Sequence, residues 1–147
     1  MKPSPPGWPR ISSSLFYDDA AKAIDWLCRA FGFEVRLRIE GEGGRIEHSE
    51  LTFGDGLVMI GSAGGKSTRP NPLPCKSPRA MGGFNTQALC VYVDDVDAHC
   101  ERAKTSGAKI LEPPTTTDYG EGYWTDRGYR VEDLEGHNWW FVQRMKG

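Results

Sequence analysis

Two stretches of this chain repeat the same order of local signals, and that repeat constrains the fold more than any single residue. Leu15-Phe16-Tyr17-Asp18-Asp19-Ala20 leads into a helical pattern that stops at Gly32. Val91-Tyr92-Val93-Asp94-Asp95-Val96 leads into a second pattern that stops at Gly107. The aspartate pairs are offset by 76 (94 − 18) and the closing glycines by 75 (107 − 32). Downstream, Leu51-Thr52-Phe53-Gly54-Asp55-Gly56 aligns with Val131-Glu132-Asp133-Leu134-Glu135-Gly136 at an offset of 80 (136 − 56). Each copy reads strand, helix, strand, strand, glycine hairpin, strand. The repeat predicts two βαβββ modules over 10–62 and 85–144, joined by a Gly/Pro-rich linker over 63–84.

Ordinary local physics supports the elements. Ala20, Ile24, Leu27, Cys28 and Phe31 fall on one apolar stripe of a helix, and Val96, Cys100 and Ala103 repeat it. Asp18 or Asp19 caps the first helix and Asp94 or Asp95 the second; Gly32 and Gly107 end them. Residues 11–17, 46–53, 86–93 and 129–133 read as strands, with Asp55-Gly56 and Glu135-Gly136 as tight turns. Each helix then covers one face of a four-stranded sheet and leaves the other face for a cavity or partner. Pro113–Trp124 reads as a lid. Gly64-Gly65-Lys66-Ser67 has the letters of a phosphate loop but lacks the spaced first glycine and a following helix, and is set aside.

Composition narrows the function classes. With 147 residues, 38% hydrophobic content and a net charge of −2, the chain reads as one ordinary globular domain. The near-neutral balance argues against a nucleic-acid binder. No apolar run reaches the ~18 residues of a membrane span. The first ten residues carry no apolar leader, so a cytoplasmic location is expected. Cys28, Cys75, Cys90 and Cys100 share no ligand spacing and read as free thiols.

Two segments resemble the vicinal oxygen chelate superfamily, the glyoxalase, bleomycin-resistance and extradiol-dioxygenase group. Arg45-Ile46-Glu47-His48-Ser49-Glu50-Leu51-Thr52-Phe53-Gly54-Asp55-Gly56 is similar to its third strand and following turn. Glu132-Asp133-Leu134-Glu135-Gly136-His137-Asn138-Trp139 resembles its D-P-x-G-H-x-W ending, with Leu134 in place of the proline. The resemblance covers roughly 10–143. It implies an α+β fold in which two paired modules form a U-shaped mixed sheet around a cup-like cavity, and it implies a homodimer. It also implies metal ligands on the first and last strand of each module. Carried onto this sequence those positions are Ser12, Ala88, Ile60 and Trp140, none of them His or Glu. No cofactor is therefore expected. A displaced divalent-metal site on His48, Glu50 and Glu132 is the alternative.

The expected ligand-binding residues are Phe16, His48, Glu50, Tyr92, Trp124, Arg130, Glu132 and Trp140. Strand alternation sends Phe16, Tyr92 and Trp140 toward the cup, with Ser12, Ser14, Ala88, Cys90 and Val142. His48 and Glu50 share a face, opposite Leu51 and Phe53. Tyr119, Tyr123, Trp124 and Tyr129 add aromatic surface, and Arg127 and Arg130 are candidates to clamp an anion. His99 reads as a helix residue and His137 as a turn stabiliser. The leading expectation is a metal-free protein binding a small hydrophobic or aromatic molecule. The rival is a metal-dependent lyase, isomerase or dioxygenase, with Glu50 a general base if burial raises its pKa.

Overall fold

A computed structural model describes residues 1–65 and 67–147. The first half runs β1 (Ser13–Tyr17), α1 (Ala20–Phe31), β2 (Glu34–Glu40), β3 (Ile46–Phe53) and β4 (Gly56–Ser62). The second runs β5 (Leu89–Tyr92), α2 (Val96–Thr105), β6 (Lys109–Asp118), β7 (Thr125–Glu132) and β8 (Asn138–Lys146). Two mixed four-stranded sheets result, ordered β1-β4-β3-β2 and β5-β8-β7-β6. The first pair in each is parallel and the others antiparallel. The paired βαβββ modules of an α+β fold are thus present. The Gly64–Ser67 lettering includes Lys66, which lies outside the described residues.

The helix ends follow from the residues expected to make them. Asp19 accepts from the Lys22 amide, and Gly32 closes α1 in the left-handed region at φ +86°. Asp95 accepts from the Ala98 amide and opens α2. Register corrects the hairpin alignment. In the first module the turn is Gly54-Asp55, with Gly54 and not Gly56 at positive φ. In the second module the Asp133 amide bonds the His137 carbonyl, so the turn is Leu134–Gly136, longer by one residue, with Gly136 at φ +95°. Glu50 pairs with Met59 and Arg130 with Trp140, so the counterpart of Trp140 is Met59 rather than Ile60. Ile60 pairs with Leu15 and is buried in the core.

The expected lid is mostly strand. β6 continues to Asp118, and only the tip 119–124 turns back. Pro113 and Pro114 are accommodated because β6 is an edge strand and its register shifts between Glu112 and Thr115.

Both helices face a shared core. The Phe31 ring lies 4.7 Å from that of Phe141 and 5.4 Å from that of Trp139, so the C-terminal end of α1 reaches the sheet of the other module. Trp26 Nε1 donates to the Ser106 carbonyl at 2.8 Å. Burying each such large apolar side chain stabilises the fold by about 1.5–3 kcal/mol. Tyr129, grouped by sequence with the cup aromatics, is buried in this core.

Candidate functional site

Alternation along β1 sets the site. Leu15 and Tyr17 point into the core, so Ser14 and Phe16 project from the opposite face. The linker folds back over them and forms with them a half-open cleft of about 690 Å³. Phe16, Leu73, Pro74, Met81 and Phe84 supply apolar surface; Ser14, Asn85, Thr86, Gln87 and His137 supply polar groups. Leu73, Met81 and Phe84 are largely exposed at 63%, 51% and 81%. An apolar cavity with a few convergent polar groups is the physical form of a small-molecule site. Burial raises the pKa of the Cys75 thiol on this wall, so it stays protonated at neutral pH.

The Asp133–His137 turn holds the cleft in place. Asp133 Oδ2 accepts from Tyr17 Oη at 2.6 Å and Trp139 Nε1 at 3.0 Å; Oδ1 accepts from the amides of Glu135 and His137. Burial, and then the Asp133 carboxylate, push the Tyr17 hydroxyl well above its ordinary pKa. The Glu135 carboxylate accepts from the amides of Asp18 and Asp19 at 2.6 and 2.9 Å, where α1 of the other module begins. His137 Nε2 donates to the Phe16 carbonyl at 2.8 Å. From the linker, Arg79 reaches Asp18 and Glu135, and Asn85 bonds Gly136 and Asn138. A Cβ at Gly136 would stand 3.2 Å from Pro78 Cβ, so the linker approaches closely only over glycine. The segment read as a family ending is thus a clasp between modules and linker.

The expected site residues separate into three places. Phe16 lines the cleft. His48 and Glu50 are on β3, where His48 Nε2 lies 2.7 Å from Glu50 Oε2 and Arg36 pairs with Glu50 Oε1 at 2.9 Å. Arg36 also bonds the Gly7 carbonyl and lies under the Trp8 ring at 4.6 Å, so the N-terminal segment crosses here. The His48 hydrogen bond and the Arg36 guanidinium hold the Glu50 carboxyl below its usual pKa despite burial. That direction removes the condition on which Glu50 was to serve as a base. Tyr92, Trp124, Arg130 and Trp140 are on the second module, with Glu132, whose carboxylate stands 3.8 Å from Lys109 Nζ. Arg127 does not join them: it grips Asp97 of α2 at 2.8 and 2.9 Å.

The donor set does not suit a divalent metal. Ser12, Ala88, Met59 in place of the expected Ile60, and Trp140 offer no imidazole or carboxylate. Among the described residues no three His, Cys, Asp or Glu side chains converge. His48 and Glu50 bond each other and Arg36, while Glu132 stands 3.8 Å from Lys109 Nζ, so the displaced triad is not assembled among the described residues. His99 is bound inside the fold: Nδ1 accepts from Tyr129 Oη and Nε2 donates to the Phe31 carbonyl, both at 2.7 Å. Burial lowers its pKa and keeps it neutral.

Sequence reasoning passed over Leu73, Met81 and Phe84. The available signal was large apolar side chains in a Pro/Gly-rich stretch without periodicity.

Comparison with known proteins agrees with this architecture. The model of the Glyoxalase/Bleomycin resistance protein/Dioxygenase superfamily matches residues 10–141. An uncharacterised Mycobacterium bovis protein is 32% identical over 143 residues, covering 94% of this chain and 85% of that protein. The crystal structure of TioX from Micromonospora sp. ML1 is 34% identical with a TM-score of 0.69, covering 93% of this chain and 99% of that one. A glyoxalase/bleomycin resistance protein/dioxygenase from Alicyclobacillus acidocaldarius shares the fold at 11% identity and a TM-score of 0.60, covering 92% and 91%.

Proposed function

This chain belongs to the glyoxalase/bleomycin resistance protein/dioxygenase superfamily, and from that premise we propose that it binds a small hydrophobic or aromatic molecule without a metal. The observation that carries the reading is the 690 Å³ cleft under the linker, with Phe16 and Phe84 as aromatic faces. A cavity of that size suits a drug-sized ligand. Ser14, Asn85, Thr86 and Gln87 give neutral hydrogen bonds that orient such a molecule. Of the titratable groups on the cleft, His137 is committed to the Phe16 carbonyl and Cys75 is kept protonated by burial, while Lys76 adds a cation, which favours binding over turnover. Homodimer formation and a cytoplasmic location are part of the proposal. The four free cysteines fit a reducing compartment. No helix among the described residues is long and apolar enough to cross a membrane.

The test is a fluorescence titration with the neutral dye N-phenyl-1-naphthylamine. Phe16→Ala or Phe84→Ala is expected to weaken binding about tenfold, the equivalent of ~1.4 kcal/mol. A chelator is expected to leave the wild-type affinity unchanged. Affinity untouched by either substitution, or abolished by the chelator, overturns the reading.

A further inference from the structure

The roof of the cleft has two halves that are held very differently. The later half is fixed. Ser77 is buried, and its hydroxyl and its carbonyl both accept from the Ala80 amide at 3.1 Å. The Arg79 amide donates to the Glu135 carbonyl at 3.0 Å, and the Arg79 guanidinium reaches Asp18 and Glu135. Asn85 ties this half to Gly136 and Asn138, and Gln87 Nε2 donates to Ser13 Oγ at 2.7 Å.

The earlier half is anchored only at its ends. At one end Arg45 bonds the Gly64 carbonyl, and Thr68 and Arg69 reach Glu47. At the other end stands the buried Ser77. Between these anchors Pro70, Asn71, Pro72, Leu73 and Pro74 are all exposed, and none of them makes a hydrogen bond to another described residue. Few bonds and high exposure mark a segment that opens at low cost. Its internal freedom is nevertheless small. Each proline fixes its own φ, and the residue before it, Arg69, Asn71 or Leu73, is restricted toward extended backbone. The strap therefore turns about its ends as a unit, and little chain entropy is lost when it settles.

Leu73 gives the strap a reason to settle. It lines the cleft, yet it is 63% exposed. Apolar surface left in water at the wall of a half-open cavity gains free energy by closing on an apolar guest.

We infer that residues 70–74 are a lid, hinged at the Glu47 and Ser77 anchors, that closes on the bound molecule through Leu73 while the Ser77–Gln87 half stays still. The inference rests on the cleft being the binding site proposed above. Asn71 discriminates a lid from a passive wall. It belongs to the strap but does not line the cleft, so ligand contact by itself does not order it.

The experiment is ¹⁵N relaxation of the full chain with and without N-phenyl-1-naphthylamine. The Asn71 and Leu73 amides are expected to rise from an order parameter below about 0.6 to about 0.85 when the dye binds, with Arg79 and Asn85 near 0.85 in both states. A double variant, Pro72→Gly with Pro74→Gly, returns freedom to an exposed segment that makes no hydrogen bonds. It should weaken the dye about threefold through faster dissociation, read by stopped flow. An Asn71 amide that is rigid without dye, one that dye binding leaves unmoved while that binding still depends on Phe16, or an unchanged dissociation rate in the double variant overturns the lid and leaves the cleft as the binding site. Dye binding indifferent to both Phe16→Ala and Phe84→Ala overturns the cleft reading and the lid together.

Discussion

At the scale of single residues, the buried Asp133 carboxylate and the His99 imidazole are bound on every side, and their chemistry is structural. Asp133 accepts four hydrogen bonds, two from side chains and two from amides. Replacing one carboxylate oxygen by NH₂ sets a donor against donors. Asp133→Asn is expected to destabilise the protein by about 2–4 kcal/mol, measured by urea unfolding. His99 makes a pH prediction. Its folded pKa lies below the ordinary 6.5, so protonation favours the unfolded chain. The stability from neutral His99 is present above pH 6.5 and is lost as pH falls through 6.5 toward the folded value. Urea midpoints between pH 7.5 and 5.5 should fall more steeply for the wild type than for His99→Gln; parallel curves would contradict the burial argument. Neither role was legible in sequence. Both depend on partners far along the chain: Phe31 is 68 positions from His99 and Tyr17 is 116 from Asp133.

At the scale of elements, the helices and strands were legible because their signals are local. Caps, a 3.6-residue apolar stripe and two-residue alternation are each written within a dozen positions. The extension of β6 through Pro113 and Pro114 was not legible, because prolines signal a loop unless the strand turns out to lie at a sheet edge. The entry to α1 is also tertiary. Its own Asp19 caps the Lys22 amide, but the amides of Asp18 and Asp19 depend on Glu135 of the other module. Glu135→Ala leaves those donors without an acceptor and should cost about 1–2 kcal/mol. If the clasp governs docking of α1, amide exchange in α1 should speed up more than in α2. Equal exchange in both helices would show that Glu135 does not govern that docking.

At the scale of the whole molecule, the two modules hold each other through one core and one clasp, and the linker forms the roof of the cleft. Deleting the Asn85 side chain should therefore affect binding more than folding. Asn85→Ala is expected to weaken N-phenyl-1-naphthylamine severalfold, because the roof loses its bonds to Gly136 and Asn138, while stability falls by only about 1 kcal/mol. Dye titration and urea unfolding of the same variant separate the two effects. The sequence alone determined the paired modules, their helix caps, the inward and outward faces of the strands and the absence of imidazole or carboxylate at the family's metal positions. Those features are periodic or positional, so each copy of the repeat could be read against the other. Only the tertiary structure decided which expected residues share a site. It placed Phe16 under the linker, tied His48 and Glu50 to Arg36, and left Arg130 and Trp140 on a separate face. The physical reason is that a site is assembled by side chains from distant segments. Their meeting depends on register, a one-residue difference between hairpins and the path of an aperiodic linker, none of which leaves a period in the sequence.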